Sequence, residues 1–357
     1  MAYDPEDNTQ EQHINAKHFN GKAIEQAVPN NLEPELKYLV QDKQVFNKTI
    51  QTVVNSELTE TDKLRIIPTN YRLLSICMDT VDLAHTDDSQ EPRIQPTQEF
   101  YKAGYQYRTR MNLTADFSTS YTYADAALKC RKIDGRVEFE TKANELSPNN
   151  LDNSLSVLKN TERDVDLPQF LTAVDDEHLR VEALYLTERS NYYFGLDMGK
   201  GGVVLYHVCA DSNRFLTPTG EMPVGQDFEA EYEIKSIFND QVMSRDAKVN
   251  IINEAQDKLR EILAGHIDAG ELDPSRNSKQ VRATKSVMKY YKIHHPDVPY
   301  FSSSDASQKG LIQGIRPSEV VSFDRHTNLA NAAFNMEKVG DLIVPQQNIA
   351  LPGQRLA

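Results

Sequence analysis

Glu33-Pro34-Glu35-Leu36-Lys37 decides how this chain is read. Three charged side chains are separated by single apolar residues, and on a β-strand residues two apart project from one face. The parity recurs downstream. Arg108 and Arg110 flank Thr109, Arg136, Glu138 and Glu140 alternate with Val137 and Phe139, and Glu229, Glu231, Glu233 and Lys235 alternate with Ala230, Tyr232 and Ile234. A sandwich needs an apolar inner face, which strands of this kind do not offer. They fit a barrel with a polar lumen and an apolar outside covered by helices. The expected class is α+β: an eight-stranded, mostly antiparallel β-barrel tunnel with helices packed on the outside. A lumen holding both carboxylates and cations suits a polyanion that carries a divalent metal.

The 357 residues are 39% hydrophobic and 26% charged, a globular composition with enough apolar residues for an ordinary core. No segment approaches the run of roughly 18 apolar residues that spans a bilayer. Met1 to Asn20 is polar and acidic, so no signal peptide is expected. The three cysteines, Cys77, Cys130 and Cys209, are sparse and lack metal spacing; buried thiols in a reducing cytoplasm are the expectation. A net charge of −14 argues against a nucleic-acid-binding exterior. It leaves room for a phosphorylated small molecule, whose binding depends on local charge in a concave site. No membrane partner is implied, and the oligomeric state stays open.

Residues 1–30 read as a polar segment, 31–295 as the main domain and 296–357 as a tail without assigned role. Phe46, Ile50, Val53 and Val54 have helical spacing, predicting a helix over 41–58. Pro68 is expected to break the pattern ahead of a strand from Tyr71 to Thr80, and 84–98 reads as a loop. Strands are expected near 104–113, 121–131 and 134–142, the last two joined by a hairpin at Asp134-Gly135. A short helix should follow Ser147-Pro148, carrying Leu151, Leu155 and Leu158. Further strands are expected at 180–194, 202–211 and 227–237. Ser244 is a candidate cap for a helix over 246–266, and another helix should cover 279–293.

Taken in order, these segments resemble the CYTH, or triphosphate tunnel metalloenzyme, superfamily. Glu33-x-Glu35-x-Lys37 is similar to its N-terminal signature. Met78-Asp79-Thr80-Val81-Asp82-Leu83 and Ala103-Gly104-Tyr105-Gln106-Tyr107-Arg108-Thr109-Arg110 resemble its next segments. So do Leu128-Lys129, Arg136-x-Glu138-x-Glu140, Thr187-Glu188-Arg189, Val203 to Asp211, Glu229-x-Glu231-x-Glu233 and Ser278-Lys279. The match covers about 31–285. The insertion between Leu83 and Phe100 is longer than usual, Val81 stands where proline is common, and Arg180 competes with Arg189. The resemblance implies a cytoplasmic triphosphate hydrolase. It assigns phosphate binding to Lys37, Arg108, Arg110, Lys129, Arg136, Arg189 and Lys279. It assigns metal binding to Glu33, Glu35, Glu138, Glu140, Asp211, Glu231 and Glu233, with Lys37, Arg110 and Glu35 closest to the chemistry.

The residues carry the same chemistry on their own account. A triphosphate bears about four negative charges, so desolvating it requires several fixed cations. Arginine grips phosphate bidentately and lysine acts as a compact charge. Carboxylates beside those cations would repel phosphate unless Mg²⁺ or Mn²⁺ bridged the two. Any single strand is better explained as a solvated face laced with cross-strand ion pairs; the shared order and parity favour a site. Asp211 has an alternative as a strand-end turn residue, and Lys279 as a helix-surface lysine. His294-His295 reads as a surface loop, Tyr192-Tyr193-Phe194 as outer packing and Gly199 to Gly202 as a turn. Two other functions fit the same pattern: an adenylate cyclase of the same superfamily, and a polyphosphate or nucleotide sensor without turnover.

Overall fold

In the computed structural model the described residues are 23–29, 32–56, 59–84, 93–113, 124–130, 137–138, 140–146, 148–161, 167–220, 223–274, 277–294, 311 and 313–321. Among them the strands are β1 (Ile24–Ala27), β2 (Glu33–Val40), β3 (Thr59–Ala84), β4 (Arg93–Pro96), β5 (Tyr105–Leu113), β6 (Ala124–Cys130), β7 (Val137–Glu138), β8 (Glu140–Leu146), β9 (Leu179–Asp197), β10 (Val203–Leu216), β11 (Pro223–Asn239) and β12 (Leu272–Pro274). The helices are α1 (Lys43–Val54), α2 (Glu99–Ala103), α3 (Ser154–Thr161), α4 (Arg245–Asp268), α5 (Lys279–His294) and α6 (Pro317–Val320).

The strands form one sheet in the order β12-β2-β11-β10-β9-β3-β5-β6-β8, with β1 beside β11, β4 beside β3 and β7 beside β2. Every pairing among the described strands is antiparallel. The sheet has 12 strands where eight were expected. The extra ones are the short pieces β1, β4, β7 and β12, of two to four residues each. β8 pairs with β6 at one end of the order, while β7, one residue before β8, pairs with β2 near the other end.

One face of the sheet is apolar and lies beneath helices. Leu36, Tyr38 and Val40 of β2, Tyr206 and Val208 of β10 and Tyr232 and Ile234 of β11 pack against Val45, Phe46, Ile50 and Val53 of α1 and Ile252, Leu259 and Leu263 of α4. A second cluster joins Leu74, Ile76 and Met78 of β3, Tyr107 and Met111 of β5 and Leu128 of β6 to Phe100 of α2 and Leu155 and Leu158 of α3. Each fully buried aliphatic or aromatic side chain contributes about 1.5–3 kcal/mol. The alternation therefore fixes which face turns toward the helices. Both covering helices start as their caps dictate: Asp42 Oδ1 accepts from Val45 N at 2.9 Å, and Ser244 Oγ accepts from Ala247 N at 3.3 Å.

Several expectations change. β3 runs through Pro68, which falls inside a register shift between Ile67 and Tyr71, where an irregular ladder asks for no proline N–H. The N-terminal segment supplies β1, whose Ile24 to Ala27 pair with Asn239 to Ser236. The chain after 295 rejoins the domain: Leu311 and Val320 are buried, and Val181 N donates to Ile315 O at 2.9 Å. Asp211 sits inside β10, not at its end. Gly199 to Gly202 is a turn, as expected. Gly202 has a φ of +87°, and a Cβ there would fall 1.9 Å from the Phe238 carbonyl oxygen, which excludes any side chain. The hairpin at Asp134-Gly135 and the chain after 321 lie outside the described residues. Among those described, no helix is long and apolar enough to cross a membrane.

Candidate functional site

The other face of the sheet is charged, and its register explains how. Arg189 on β9 lies opposite Asp211 on β10, and Asp211 lies opposite Glu229 on β11. The next inward rung runs Asn191, Cys209, Glu231 and Lys37, and the one after it Tyr193, His207, Glu233 and Glu35. Period-2 alternation keeps every rung on one face. Glu33 pairs with Glu138 and Lys129 with Glu140, so the backbone sets those glutamates on neighbouring strands of the same arrangement. Arg136 lies outside the described residues.

Ion pairs knit the rungs together. Arg189 donates from Nε to Asp211 Oδ1 and from Nη2 to Asp211 Oδ2, both at 2.7 Å, and from Nη2 to Glu231 Oε2 at 2.8 Å. Lys37 Nζ contacts Glu35 and lies 3.7 Å from Glu231. Lys129 Nζ donates to Glu35 Oε1 at 3.3 Å. That last contact matters most for shape, because β6 and β2 stand near opposite ends of the strand order. Arg110 clasps Asp125 across the β5–β6 pair, with Nη2 to Oδ2 at 2.6 Å. Arg108 Nη1 donates to the Tyr185 hydroxyl at 3.4 Å.

α5 lies on this charged face, unlike the helices expected only outside. Lys279, its first residue, points into the sheet and meets Asp211, Glu229 and Glu231. Arg282 holds Asp227 at 2.7 Å and Glu229 at 2.5 Å. Ala283 packs with Cys77, Ala183, Tyr185 and Phe215. At the far end of the face Tyr193, Leu205 and Phe238 form a small apolar cluster, and Tyr193 stacks on His207 at a ring separation of 4.6 Å. The expectation of outer packing therefore holds for Tyr192 and Phe194 and fails for Tyr193.

The electrostatics follow from burial opposed by contact. Burial favours the neutral form of Asp211 and Glu231, yet Arg189 and Lys279 outweigh it at Asp211, and Lys279, Lys37 and Arg189 do so at Glu231; both stay below the usual carboxylate range. Glu229 goes the other way, because burial pushes it up despite Lys279. Lys279 and Arg189 are raised above their ordinary values, their carboxylate partners overcoming desolvation. Burial lowers His207 and raises Cys209. A depressed carboxyl contributes stability above its unfolded pKa of about 4, and that contribution is lost as pH falls through the folded value. Thermal melts of the wild type should therefore fall as acid is added below about pH 5, and Glu231→Gln should flatten that limb. Equal acid slopes in the two proteins would remove Glu231 from the account.

Solved structures that resemble the chain include three of mimivirus origin. A mimivirus capping enzyme triphosphatase is 12% identical with a TM-score of 0.29, over 72% of this chain and 97% of that one. A second crystal form of the mimivirus capping enzyme triphosphatase is 11% identical with a TM-score of 0.28, over 74% and 100%. The RNA triphosphatase domain of a trifunctional mimivirus mRNA capping enzyme is 11% identical with a TM-score of 0.28, over 73% and 97%. No family model matches the chain, and no curated protein does. A likeness of this size carries no argument, so function rests on the chain's own residues.

Of the expected site residues, Glu35, Lys37, Arg108, Arg110, Lys129, Arg189, Asp211, Glu231, Glu233 and Lys279 share the charged face. Arg180 instead donates to the Glu177 and Leu179 carbonyls, which leaves Arg189 as the arginine that β9 gives this face. Sequence reasoning passed over Asp125, Asp227 and Arg282. Asp227 continues the parity of Glu229, Glu231 and Glu233, and Arg282 lies one helical turn from Lys279, so both carried a signal. Asp125 became visible only through its pairing with Arg110.

Proposed function

We propose that this chain hydrolyses a triphosphate, inorganic or organic, with a divalent cation, inside a tunnel formed when β7 and β8 bring the ends of the sheet together. The observation that carries this reading is the Lys129–Glu35 contact at 3.3 Å, which joins side chains from strands far apart in the sheet order. The β7–β2 pairing supports it. Phosphate oxygens would be held by Lys37, Arg108, Arg110 and Lys129, whose charges are in place before the ligand arrives, together with Arg136.

The donor set suits a hard cation. Glu35 lies opposite Glu233 and Glu33 opposite Glu138 in the strand register, so β2, β7 and β11 each bring a carboxylate-bearing residue to neighbouring positions. Glu33, Glu35, Glu138, Glu140 and Glu233 would hold Mg²⁺ or Mn²⁺. When bound, the ion supplies positive charge to the phosphates and makes a water more acidic. Asp211 and Glu231 already direct their oxygens to Arg189 and Lys279. Lys37 stands between Glu35 and Glu231, where it can touch a phosphate without leaving the carboxylates. Phosphoryl transfer then needs little beyond position and neutralised charge.

The test is product analysis. Tripolyphosphate, thiamine triphosphate, ATP and an RNA bearing a 5′-triphosphate are each incubated with Mg²⁺ or Mn²⁺. Phosphate release that stops on chelation is expected from at least one. Cyclic AMP from ATP would replace hydrolysis with cyclisation, and tight binding without any product would make the chain a sensor.

A further inference from the structure

Lys279 is 8% exposed, and its Nζ lies 2.7 Å from Asp211 Oδ2, 2.8 Å from Glu229 Oε1 and 2.7 Å from Glu231 Oε1. Those three carboxylates present oxygens within 4.8 Å of one another, close enough to share one ion. The ammonium thus fills the point at which a divalent cation would sit. Glu229 gives this point a direction. It is 1% exposed, and its two oxygens face Lys279 at 2.8 Å and Arg282 at 2.5 Å. A buried carboxylate must be paired with a cation, and a divalent ion fills that role where no ammonium does.

The ammonium is also tethered. Arg282 binds Asp227 through Nε at 2.7 Å and the Asn277 carbonyl through Nη1 at 2.7 Å, and Gln280 Nε2 donates to Glu182 Oε2 at 2.5 Å. Ala283 is packed among Cys77, Tyr185 and Phe215. With α5 anchored at these points, Lys279 competes for the carboxylates at a high effective concentration.

We propose that Lys279 is a built-in cation that excludes divalent metal from the Asp211–Glu229–Glu231 cluster and so confines the ion to the Glu35 and Glu233 end. The confinement rests on the function proposed above; the exclusion does not. Lys279 acts here as a positioning residue: it decides which carboxylates a metal can use.

The experiment counts metal and does not depend on turnover. Mn²⁺ is titrated into the wild type, Lys279→Met and Lys279→Arg, with binding followed by calorimetry and by the paramagnetic resonance of free Mn²⁺. Lys279→Met should bind one more ion per chain than the wild type, and its melting temperature should rise more with Mn²⁺. Lys279→Arg, which keeps the charge, should bind no extra ion. The double variant Lys279→Met with Glu231→Gln should lose the extra site. If Lys279→Met does not fold alone, Mn²⁺-dependent recovery of its circular dichroism reports the same event. An unchanged ion count together with an unchanged Mn²⁺ shift, or failure of Mn²⁺ to recover an unfolded variant, would overturn the proposal. Absence of hydrolysis in the product assay would sink the function and leave this count standing.

Discussion

Arg189→Met is expected to cost about 3–5 kcal/mol of folding stability, the usual loss when one partner of a buried ion pair is removed. Asp211 is wholly buried and takes both of its bidentate bonds from this guanidinium; the same Nη2 also reaches Glu231. Asp211 would then depend on Lys279, which also serves Glu229 and Glu231. Denaturant unfolding measures the loss. Asp211→Asn in the same background should recover part of it, since the orphaned charge disappears. The competing reading makes Arg189 a phosphate clamp with little structural work. That reading predicts near-wild-type unfolding without ligand and a lost ligand-induced shift. A midpoint unchanged by Arg189→Met would favour it.

Glu35→Gln is expected to lower metal-dependent turnover by more than about 10²-fold, since a metal ion supplies several kcal/mol of charge stabilisation and each 1.36 kcal/mol is tenfold in rate. Glu35 is 7% exposed, lies opposite Glu233 and is contacted by Lys37 and Lys129. Glutamine keeps the shape and removes the charge, so the circular dichroism spectrum should survive. The Mn²⁺ concentration for half-maximal activity should rise, and that shift separates a lost ligand from a general loss of fold. Full Mg²⁺-dependent activity in this variant would mean that Glu35 holds no metal.

The parts of the fold that the sequence made legible are those governed by local period. Glu33 to Lys37 and Glu229 to Lys235 alternate so regularly that their inward face followed from strand geometry alone. α4 announced itself through Ser244, whose side chain caps it in the structure. What stayed hidden depends on pairing between distant segments. β1 is four residues long, and nothing in Ile24 to Ala27 says that β11 extends far enough to receive it. Pro68 looked like a strand end because proline lacks an N–H, yet a register shift absorbs it. Lys279 read equally well as a surface lysine, since its burial arises from α5 docking onto the charged face and not from the helix's own pattern. The partner of Arg110 was invisible for a similar reason: Asp125 belongs to another strand, and only the β5–β6 register brings the two together.

The central claim is that cations from separate strands converge on one space that accepts a triphosphate together with a metal. Calorimetric titration of tripolyphosphate tests it most directly, run with Mn²⁺, without Mn²⁺, and with the double variant Lys37→Met and Lys129→Met. The account predicts one tripolyphosphate per chain for the wild type in Mn²⁺, much weaker binding when the metal is withheld, and loss of binding in the variant. Binding of equal strength in the variant, or none in the wild type with metal present, would contradict it.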